Sequence, residues 1–470
     1  MNTWWLVYSL VGVVWFLGNA IVIIMQRRPA ASTIAWLMVL VFLPVIGFLV
    51  YLLIGPLRLE RRKRKHTVSK RLTDEGLRGM AALHEREEEH HQLAMVSIGV
   101  GGAPPLHAES VDLYFDGASA YAAILEAIAA ARHHIHLEYY IWEADTIGTR
   151  LRDLLVERAR AGVTVKVILD GTGSRLSNKF LRPLRDAGAK VAWFNPVHLW
   201  TLRRRRVDFR SHRKIVVCDG RIGFTGGMNI SDLHSAELSD PCWRDTHLRI
   251  TGTAVWPIQR LFFEDWYYVA DELIPISEET VPPPVHEGGH LVQIVGSGPD
   301  ATDYALHKVH FTAINQATRR LWLTTPYFVP DDALLTALLT AALRGVDVRV
   351  LVPKKGDSRL VDYAARSYFP ELIEAKVRIF EYGPRFIHAK TMVCDDDISL
   401  VGTANFDNRS FRLDFELAAI LFGEAENRLL AEGFERDLVD SRELLGEDLV
   451  KQSFGQRLGQ SAARLLSPLL

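Results

Sequence analysis

The chain has 470 residues, enough for two or three domains. Hydrophobic residues make up 48% and charged residues 24%, a balance that excludes wholesale disorder. The formal net charge is −1, so a protein built mainly to coat nucleic acid is disfavoured and any preference for anions must be local. With three cysteines, a disulfide scaffold and a cysteine-rich zinc module are excluded.

Two uncharged runs open the chain, and residues 1–57 are predicted to form a transmembrane helical hairpin. The runs extend from Asn2 to Gln26 and from Ala30 to Pro56, and each is long enough to cross a bilayer. A cleaved signal peptide followed by one anchor is disfavoured, because no basic segment precedes the first run and no cleavage site follows it. A buried soluble hairpin is disfavoured because uncharged runs of this length are unusual outside membranes.

A basic and then polar connector is predicted over residues 58–105. Six basic side chains follow the second run: Arg58, Arg61, Arg62, Lys63, Arg64 and Lys65. By the positive-inside rule, they place the chain start and everything after residue 58 in the cytoplasm. Residues 84–91 lack the His-Glu-x-x-His spacing of zinc proteases, so we interpret them as part of a solvated connector.

The remaining chain alternates between helical and strand patterns, and the same order occurs twice. The first predicted half covers residues 106–281 and the second covers residues 286–470. Helices are predicted over residues 120–131, 149–160, 307–318 and 334–343, and strands over residues 133–142, 163–169, 320–329 and 346–352. This alternation predicts an α/β fold with largely parallel sheets that are covered on both faces.

A chemical motif recurs in the two halves at identical offsets. The first half carries His212, Lys214, Asp219, Gly226 and Asn229. The second half carries His388, Lys390, Asp395, Gly402 and Asn405, each 176 positions later. Residues i and i+2 of a strand point to the same face, so the histidine and lysine of each motif should project together.

Two such motifs suit the chemistry of a phosphate diester. If the halves pack about a pseudo-twofold axis, two histidines, two lysines and two asparagines converge on one cleft. One imidazole can then attack phosphorus while the other protonates the leaving oxygen, and a histidine pKa of about 6.5 suits both roles. Lysine and asparagine neutralise and hold the phosphate, so we expect neither a metal nor a cofactor.

The chain resembles the bacterial cardiolipin synthases of the phospholipase D superfamily. The resemblance rests on the paired motifs within HRKIVVCDGRIGFTGGMNI and IHAKTMVCDDDISLVGTANFDNRSF, on the uncharged hairpin and on the C-terminal ARLLSPLL. It implies two phospholipase D-like α/β sandwich halves related by pseudo-twofold symmetry and preceded by the hairpin. It also implies transfer of a phosphatidyl group from one phosphatidylglycerol to another, with release of glycerol, through a phosphohistidine.

The resemblance implies a division of labour between the two histidines. We assign His212 as the nucleophile and His388 as the acid that protonates glycerol and then activates the incoming hydroxyl. The near-symmetric motifs alone leave this choice open. The family supports each histidine with a carboxylate downstream, and Asp245 and Glu416 match those places. Such a carboxylate fixes the tautomer of the imidazole and stabilises its protonated form.

The remaining motif residues are expected to bind phosphate or to support the fold. By resemblance, the phosphate oxygens would be held by Lys214, Lys390, Asn229 and Asn405. Thr403 would add a hydroxyl donor that its counterpart, Gly227, cannot supply. Asp219 and Asp395 complete the motifs and are counted with the catalytic set, although their place farther along the strand favours a structural role.

The chain departs from the family pattern at two places. Asp414 stands where asparagine is usual, and a second acid there would either perturb the nearby histidine or face solvent. Cys218 and Cys394 precede the motif aspartates, where valine or isoleucine is usual. A redox switch is one interpretation of the cysteines, but their duplication favours equivalent buried packing positions.

Four further features carry two interpretations each. Arg203–Arg206 would guide anionic lipid or form a solvated loop. Three aromatic residues would enter the headgroup layer or pack in the core: Trp193, Phe194 and Trp200. Strand packing is favoured over metal binding for three clustered histidines: His133, His134 and His136. The amphipathic segment Gln456–Leu470 would rest on the membrane or close the second half.

These observations predict a phosphatidyltransferase of the cardiolipin synthase type. Its expected partners are phosphatidylglycerol and the bilayer, without nucleic acid, and its expected location is the bacterial inner membrane, multi-pass, with a cytoplasmic catalytic domain. A phospholipase D-type hydrolase is the main alternative, because the motifs do not determine the acceptor. A nucleic-acid diesterase is disfavoured by the balanced charge, and an inactive scaffold by the intact motifs. The sequence leaves homo-oligomerisation open.

Overall fold

A computed structural model describes residues 3–25, 30–54, 92–196, 209–284, 289–299, 304–450 and 452–470. The chain forms two compact units, one of Met1–Arg62 with Val197–Asp208 and the other of Lys63–Pro196 with Phe209–Leu470. Four predicted features lie outside the described residues: the basic side chains at 58–65, the segment 84–91, Trp200 and Arg203–Arg206.

The described part of the first unit is helical. Its helices are α1 (Thr3–Met25), α2 (Ala30–Phe42) and α3 (Pro44–Ile54). Pro44 has no backbone N–H and its ring crowds the preceding turn, so the second uncharged run forms two helices instead of the single predicted span. Ile23, Leu40 and Tyr51 are buried where these helices pack together. Within the described stretches of the chain, no helix has both the length and the apolar character needed to cross a membrane.

The first half of the second unit forms a mixed sheet. A short strand, β1 (Leu106–Ala108), comes first in the chain and belongs to the other sheet. The strands of this sheet are β2 (Ser110–Tyr114), β3 (His134–Tyr139), β4 (Thr164–Asp170), β5 (Lys190–Phe194), β6 (Lys214–Cys218), β7 (Ile222–Gly226) and β8 (His247–Thr251). Helix α4 (Gln92–Gly99) precedes this half in the chain and packs on the helix Ala305–Gln316 of the second half. The helices of the first half are α5 (Gly117–Ala130), α6 (Thr146–Arg160), α7 (Asn178–Asp186) and α8 (Trp256–Ala270). The strand order is β2-β8-β7-β6-β3-β4-β5, and only the β3–β4 and β4–β5 pairs in it are parallel. The prediction of a largely parallel sheet is therefore wrong, because the hairpin of β6 and β7 and its neighbours add antiparallel strands.

The second half repeats this sheet. Its strands are β9 (His290–Ser297), β10 (Arg320–Thr324), β11 (Phe328–Val329), β12 (Asp347–Pro353), β13 (Arg378–Tyr382), β14 (Thr391–Cys394), β15 (Ile398–Gly402), β16 (Phe406–Asp407), β17 (Glu416–Phe422) and β18 (Ser441–Leu444). Its helices are α9 (Ala305–Gln316), α10 (Asp332–Leu343), α11 (Arg359–Arg366), α12 (Phe369–Glu374), α13 (Asn408–Arg412), α14 (Glu424–Val439), α15 (Gly446–Val450) and α16 (Phe454–Arg464). The order β9-β17-β15-β14-β10-β12-β13 matches the first sheet strand for strand, with β1 and β18 added at its edges. The strand β1 lies in the predicted first half but pairs with β9.

The two sheets pack face to face, and helices cover their outer faces. The alternation along β6 shows these layers. Ile215 and Val217 join a core that includes Val292 of the second sheet. Val216 and Cys218 join the core beneath α5, α6 and α7. Helices α8 and α14 also join the core between the sheets, through Ile258 and Phe434 among others. This packing holds the ends of β6 and β14 in fixed positions.

The motif aspartates serve the fold, which corrects their place in the catalytic set. Asp219 accepts hydrogen bonds from the backbone N–H groups of Arg132, His133 and His134 at 2.8 to 2.9 Å. Asp395 accepts equivalent bonds from the backbone before β10, between 2.7 and 3.2 Å. Both residues have positive φ angles, 53° and 48°, in the turns that follow the motif strands. They therefore fasten the motif hairpin to the start of the neighbouring strand.

Replacing Asp219 with asparagine is expected to affect stability more than catalysis. Asp219→Asn keeps a residue that tolerates positive φ but removes an acceptor of backbone N–H groups, which costs about 1–2 kcal/mol of unfolding free energy. Thermal unfolding and specific activity of the purified variant check this. A large loss of activity without a shift in the melting temperature would return Asp219 to the catalytic set.

Other sequence features find structural explanations. Cys218 and Cys394 are buried and free, and burial raises the pKa of both thiols, that of Cys394 to about 12, which confirms the packing interpretation. The rings of His134 and His136 lie in the core, tilted by 31° with centroids 4.4 Å apart, and Nε2 of Gln259 lies 3.2 and 3.0 Å from their ring nitrogens. Strand packing is therefore also the correct interpretation of this cluster.

The C-terminal segment closes the second half. Helix α16 packs on α11, and the hydroxyl groups of Tyr368 and Ser467 lie 2.9 Å apart. The backbone N–H of Arg409 donates to the carbonyl of Leu470 at 3.0 Å. The predicted core packing of Phe194 is also confirmed, since its ring lies against Phe415 with centroids 5.1 Å apart.

Candidate active site

The histidine and lysine of each motif lie together at the start of a central strand. Lys214 opens β6, and its Nζ donates to the carbonyl of His212 at 2.7 Å. Lys390 donates in the same way to the carbonyl of His388. These four side chains are buried or nearly so. The paired projection predicted from the i, i+2 spacing is thus confirmed.

Reciprocal backbone contacts join the two halves beside the motifs. The N–H of His212 donates to the carbonyl of Phe415 at 2.9 Å. The N–H of His388 donates to the carbonyl of Arg244 at 2.7 Å. Because Phe415 precedes Glu416 and Arg244 precedes Asp245, each contact delivers a carboxylate to the motif of the opposite half. The same contact made in both directions is what a pseudo-twofold arrangement requires.

The carboxylates are exchanged between the halves. Nδ1 of His212 lies 3.0 and 3.2 Å from the two carboxylate oxygens of Glu416. Nδ1 of His388 lies 2.7 Å from Oδ2 of Asp245. The expected pairing, with Asp245 serving the first motif and Glu416 the second, is therefore exchanged in both halves. Each Nδ1–H donates to its carboxylate, which leaves Nε2 free for chemistry.

Thr403 supports a carboxylate, which corrects its predicted role as a phosphate donor. Its hydroxyl donates to Oε2 of Glu416, and it accepts from the N–H of Leu417 at 2.9 Å. At the equivalent position, a Cβ on Gly227 would lie 2.0 Å from Oδ1 of Asp245. Glycine is therefore required there because the carboxylate takes the space. The two halves differ at this position, as expected. The difference lies in how the carboxylates are supported and not in how phosphate is held.

The motif asparagines follow β7 and β15. Oδ1 of Asn229 and Oδ1 of Asn405 are both buried, and neither has a hydrogen-bond partner among the described residues. Buried polar atoms are normally hydrogen-bonded, so an unpartnered oxygen in each half indicates room for a donor from a ligand, such as a hydroxyl group. Phosphate oxygens would need the Nδ2 donors of the same side chains, so the phosphate-binding role of both residues stays a prediction.

Burial keeps both histidines neutral. Desolvation lowers the pKa of His212 to about 4, opposed by the charge of Glu416. The pKa of His388 is held well below 6.5 by desolvation and by the charges of Lys390 and Lys214. A phosphodiester anion between them would raise both pKa values, because its negative charge stabilises imidazolium. Each lysine acts on the histidine of the other motif, so the two motifs lie within electrostatic range.

The lysines are shifted in the same direction. Burial lowers the pKa of Lys214 to about 8, opposed by Glu416 and Asp245. Burial lowers the pKa of Lys390 to about 7, and the charge of Lys214 lowers it further. Two buried ammonium groups that face each other are stabilised when an anion binds between them.

Asp414 is buried beside the site and does not face solvent. Nε of Arg409 donates to its Oδ2 at 3.0 Å. Desolvation raises the pKa of Asp414 well above its usual value, and the charges of Glu416 and Asp407 raise it further. Two outcomes were expected for Asp414, that it would perturb the nearby histidine or that it would face solvent. The structure excludes the second of these.

Three side chains at the site were missed by sequence reasoning. The ring of Tyr140 meets His212 edge-on, with centroids 4.9 Å apart. The rings of His234 and Trp243 lie 5.7 and 5.3 Å from that of His388. They break the repeat between the halves, so the internal duplication gave no signal for them.

In the part of the chain that the structure describes, one group has the geometry for a metal ion: His234, Asp245 and His388. The contacts favour hydrogen bonding instead. The N–H of Asn229 donates to Nε2 of His234 at 3.3 Å, so a neutral His234 carries its proton on Nδ1. Nδ1 is the atom that faces the carboxylate, and its proton would have to be released before a metal ion could bind there.

Comparison with known proteins agrees with this site. A family model described as "Cardiolipin synthase, PLD-like domain" matches residues 124–238 and 311–438, which include both motif regions. The chain belongs to the cardiolipin synthase family. A second model, "Phospholipase_D-nuclease N-terminal", matches residues 13–56.

Curated relatives extend the family match over nearly the whole chain. The cardiolipin synthase of Geobacillus sp. (strain WCH70) is 40% identical over 96% of this chain and 91% of its own length. Cardiolipin synthase 1 of Bacillus anthracis is 37% identical over 98% of this chain and 94% of its own length. Among solved structures, the phosphatidylserine synthase of Haemophilus influenzae Rd KW20 aligns over 81% of this chain and all of its own, with a TM-score of 0.61 and 17% identity. That similarity supports the fold alone.

Proposed function

We propose that the protein transfers a phosphatidyl group from one phosphatidylglycerol to a second, giving cardiolipin and glycerol. The observation that carries the proposal is the pair of exchanged histidine–carboxylate contacts, His212 with Glu416 and His388 with Asp245. It provides two imidazoles beside two lysines, each imidazole with its Nδ1 directed to a carboxylate. The curated relatives that match the full chain are named cardiolipin synthases.

In the first step, Nε2 of His212 attacks phosphorus. The bond between phosphorus and the glycerol headgroup oxygen breaks, and protonated His388 gives its proton to that oxygen. Glu416 stabilises the positive charge that develops on the His212 ring. Lys214, Lys390 and the two motif asparagines hold the phosphate oxygens as charge moves onto them.

In the second step, His388 acts as a base. It takes the proton of a hydroxyl group on the second phosphatidylglycerol, and that oxygen attacks phosphorus. The bond between phosphorus and Nε2 of His212 breaks, and the electron pair returns to the imidazole. His388 ends protonated, ready for the next donor, so protons balance over the cycle. Asp245 holds His388 in the required tautomer in both steps.

Product analysis tests the proposal. The full-length protein is reconstituted in phosphatidylglycerol vesicles, and lipids and glycerol are resolved by mass. We expect equal amounts of cardiolipin and glycerol from the wild type, and none from His212→Ala or His388→Ala. His133→Ala removes an exposed histidine outside the site and should remain active. Phosphatidic acid in place of cardiolipin would assign a hydrolase of the phospholipase D type instead.

We further propose that residues 1–57 insert in the bacterial inner membrane as a helical hairpin, with the catalytic unit on the cytoplasmic side. Support comes from the uncharged runs, from the match of residues 13–56 to an N-terminal family model, and from exposed apolar side chains on α1, α2 and α3. Deletion of residues 1–57 should move the protein from the membrane fraction to the supernatant. Retention in a carbonate-washed membrane fraction would contradict this.

A further inference from the structure

His234 marks the largest chemical difference between the two halves of the site. It lies five residues after Asn229, and Ser410 lies five residues after Asn405. Both positions accept a hydrogen bond from the asparagine backbone: N–H of Asn229 to Nε2 of His234 at 3.3 Å, and N–H of Asn405 to Oγ of Ser410 at 3.1 Å. The two residues are therefore structural equivalents, although one is titratable and the other is not.

In the second half, two hydroxyl groups divide the supporting work. Ser410 holds the backbone of Asn405, and Thr403 donates a second hydrogen bond to the carboxylate of Glu416. The first half has no hydroxyl at the position of Thr403, because Gly227 stands there against Asp245. Oδ1 of Asp245 instead accepts from the backbone N–H of Thr246 at 2.7 Å, so any second side-chain donor to this carboxylate must come from another residue.

His234 is placed to be that donor. Its Nδ1 lies 3.5 Å from Oδ2 of Asp245, the oxygen that also accepts from Nδ1 of His388 at 2.7 Å. Since Nε2 of His234 accepts from Asn229, a neutral ring carries its proton on Nδ1, and burial lowers its pKa to about 3. At this distance the buried Nδ1 has no hydrogen-bond partner among the described residues, and catalytic contacts that are long in the free enzyme often tighten when substrate binds.

The surroundings of His234 restrict it to one orientation. It is fully buried, and the ring of Trp243 packs against both His234 and His388 with centroids 5.3 Å apart in each case. One imidazole thus contacts the backbone of a phosphate ligand on one side and the carboxylate partner of His388 on the other.

We propose that His234 is a positioning residue that alone performs the roles of Ser410 and Thr403, coupling Asn229 to Asp245 and so fixing the orientation of His388. The proposal rests on the proposed function of the paired histidines. It makes the two halves inequivalent. Glu416, which contacts His212, is held by the Thr403 hydroxyl, whereas Asp245, which contacts His388, is held by an imidazole that also contacts the backbone of Asn229.

Two amide substitutions separate the two contacts. The side-chain amide of glutamine reaches the place of Nε2, and that of asparagine reaches the place of Nδ1. His234→Gln therefore keeps an acceptor for Asn229 and loses the donor to Asp245, so we expect kcat to fall about tenfold with little change in KM. His234→Asn keeps a donor to Asp245 and loses the acceptor, so KM should rise about tenfold with little change in kcat.

Ser410→Ala is the matched control in the other half. It removes the acceptor for Asn405 together with a side-chain hydrogen bond to Asp407, and it should raise KM as His234→Asn does. The assay uses a phosphatidyl ester of p-nitrophenol in detergent micelles, with thermal unfolding measured for every variant. This substrate reports attack on phosphorus whether the acceptor is a lipid or water. Absence of cardiolipin from the wild type would therefore reject the proposed function without touching this test.

The outcomes divide cleanly. A fall in kcat alone for His234→Gln and a rise in KM alone for His234→Asn, at similar melting temperatures, support the proposal. Equal losses that follow the melting temperature would show a merely structural histidine and overturn it. Unchanged kinetics in both variants would also overturn it. If an amide variant does not fold, the same split is sought between His234→Ser, which imitates Ser410, and Ser410→Ala.

Discussion

Loss of His388 or Asp245 is expected to trap a phosphoenzyme. Loss of His212 should prevent this phosphoenzyme from forming, and loss of the Glu416 carboxylate should slow its formation. A phospholipid with p-nitrophenol in place of glycerol needs no acid for its departure, so the first step then requires only the nucleophile. His388→Ala and Asp245→Asn should release about one p-nitrophenolate per site and then turn over about 10²–10⁴-fold more slowly than the wild type. His212→Ala should give no burst, and Glu416→Gln should slow the burst by a similar factor.

Rapid-quench kinetics measure this result, with acid-labile and base-stable phosphate on the protein as the marker of phosphohistidine. Thr246→Ala serves as the control, because it removes a hydroxyl group beside Asp245 and keeps the backbone N–H that donates to the carboxylate. A burst from His212→Ala and none from His388→Ala would reverse the assignment of the nucleophile. A variant of Asp245 that behaves like His212→Ala would contradict the exchange of carboxylates between the halves.

The sequence predicted the chemistry of the site better than its architecture. Five matched positions at the same spacing in each half identified the histidines, lysines and asparagines, because a strand and a tight turn fix their relative positions locally. Asp245 and Glu416 were found by resemblance. That each serves the opposite half depends on two backbone contacts, at Phe415 and Arg244, between segments far apart in the chain. No local pattern encodes such contacts.

Other differences have equally specific causes. The sheets are mixed because the motif strand returns through a tight turn at Asp219 and Gly220, whereas the alternation of helices and strands describes only the parallel edge. The second uncharged run forms two helices because of a single residue, Pro44. His234 was not recognised because its equivalent is serine, and a repeat reveals only what both copies share.

The second large effect is expected at the buried lysines, whose charge is needed for function and costs stability. Lys390→Met should lower kcat/KM by about 10²–10³-fold at pH 7, because it removes a fixed donor to the transferring phosphate. In the wild type, kcat/KM should fall as pH rises past about 7 and then 8, where Lys390 and Lys214 lose their protons. Because kcat/KM reports the free enzyme, its pH profile should show these pKa values in addition to that of His388, which must be protonated for the first step and whose pKa lies well below 6.5.

The same substitution should stabilise the protein. The pKa of Lys390 in the folded protein is about 7, below its unfolded value of about 10.4. The folded state therefore binds this proton more weakly than the unfolded chain does, and the protonated lysine destabilises the fold. This destabilisation is fully present below pH 7 and disappears as pH rises from 7 to about 10.4. Lys390→Met should therefore raise the melting temperature at pH 7, by about 2–4 °C per kcal/mol, with a gain that shrinks towards pH 10.

Two controls separate charge from packing. Lys390→Arg keeps a charge at every accessible pH and should remove the corresponding alkaline decline in kcat/KM, even where its geometry lowers the rate. Lys355→Met removes an exposed lysine outside the site and should change neither the pH profile nor the melting temperature. A Lys390→Met variant that loses stability at pH 7 would show that the ammonium group is compensated in the fold. Lower activity together with higher stability in Lys390→Met would instead show that the buried charge serves phosphate binding and destabilises the fold.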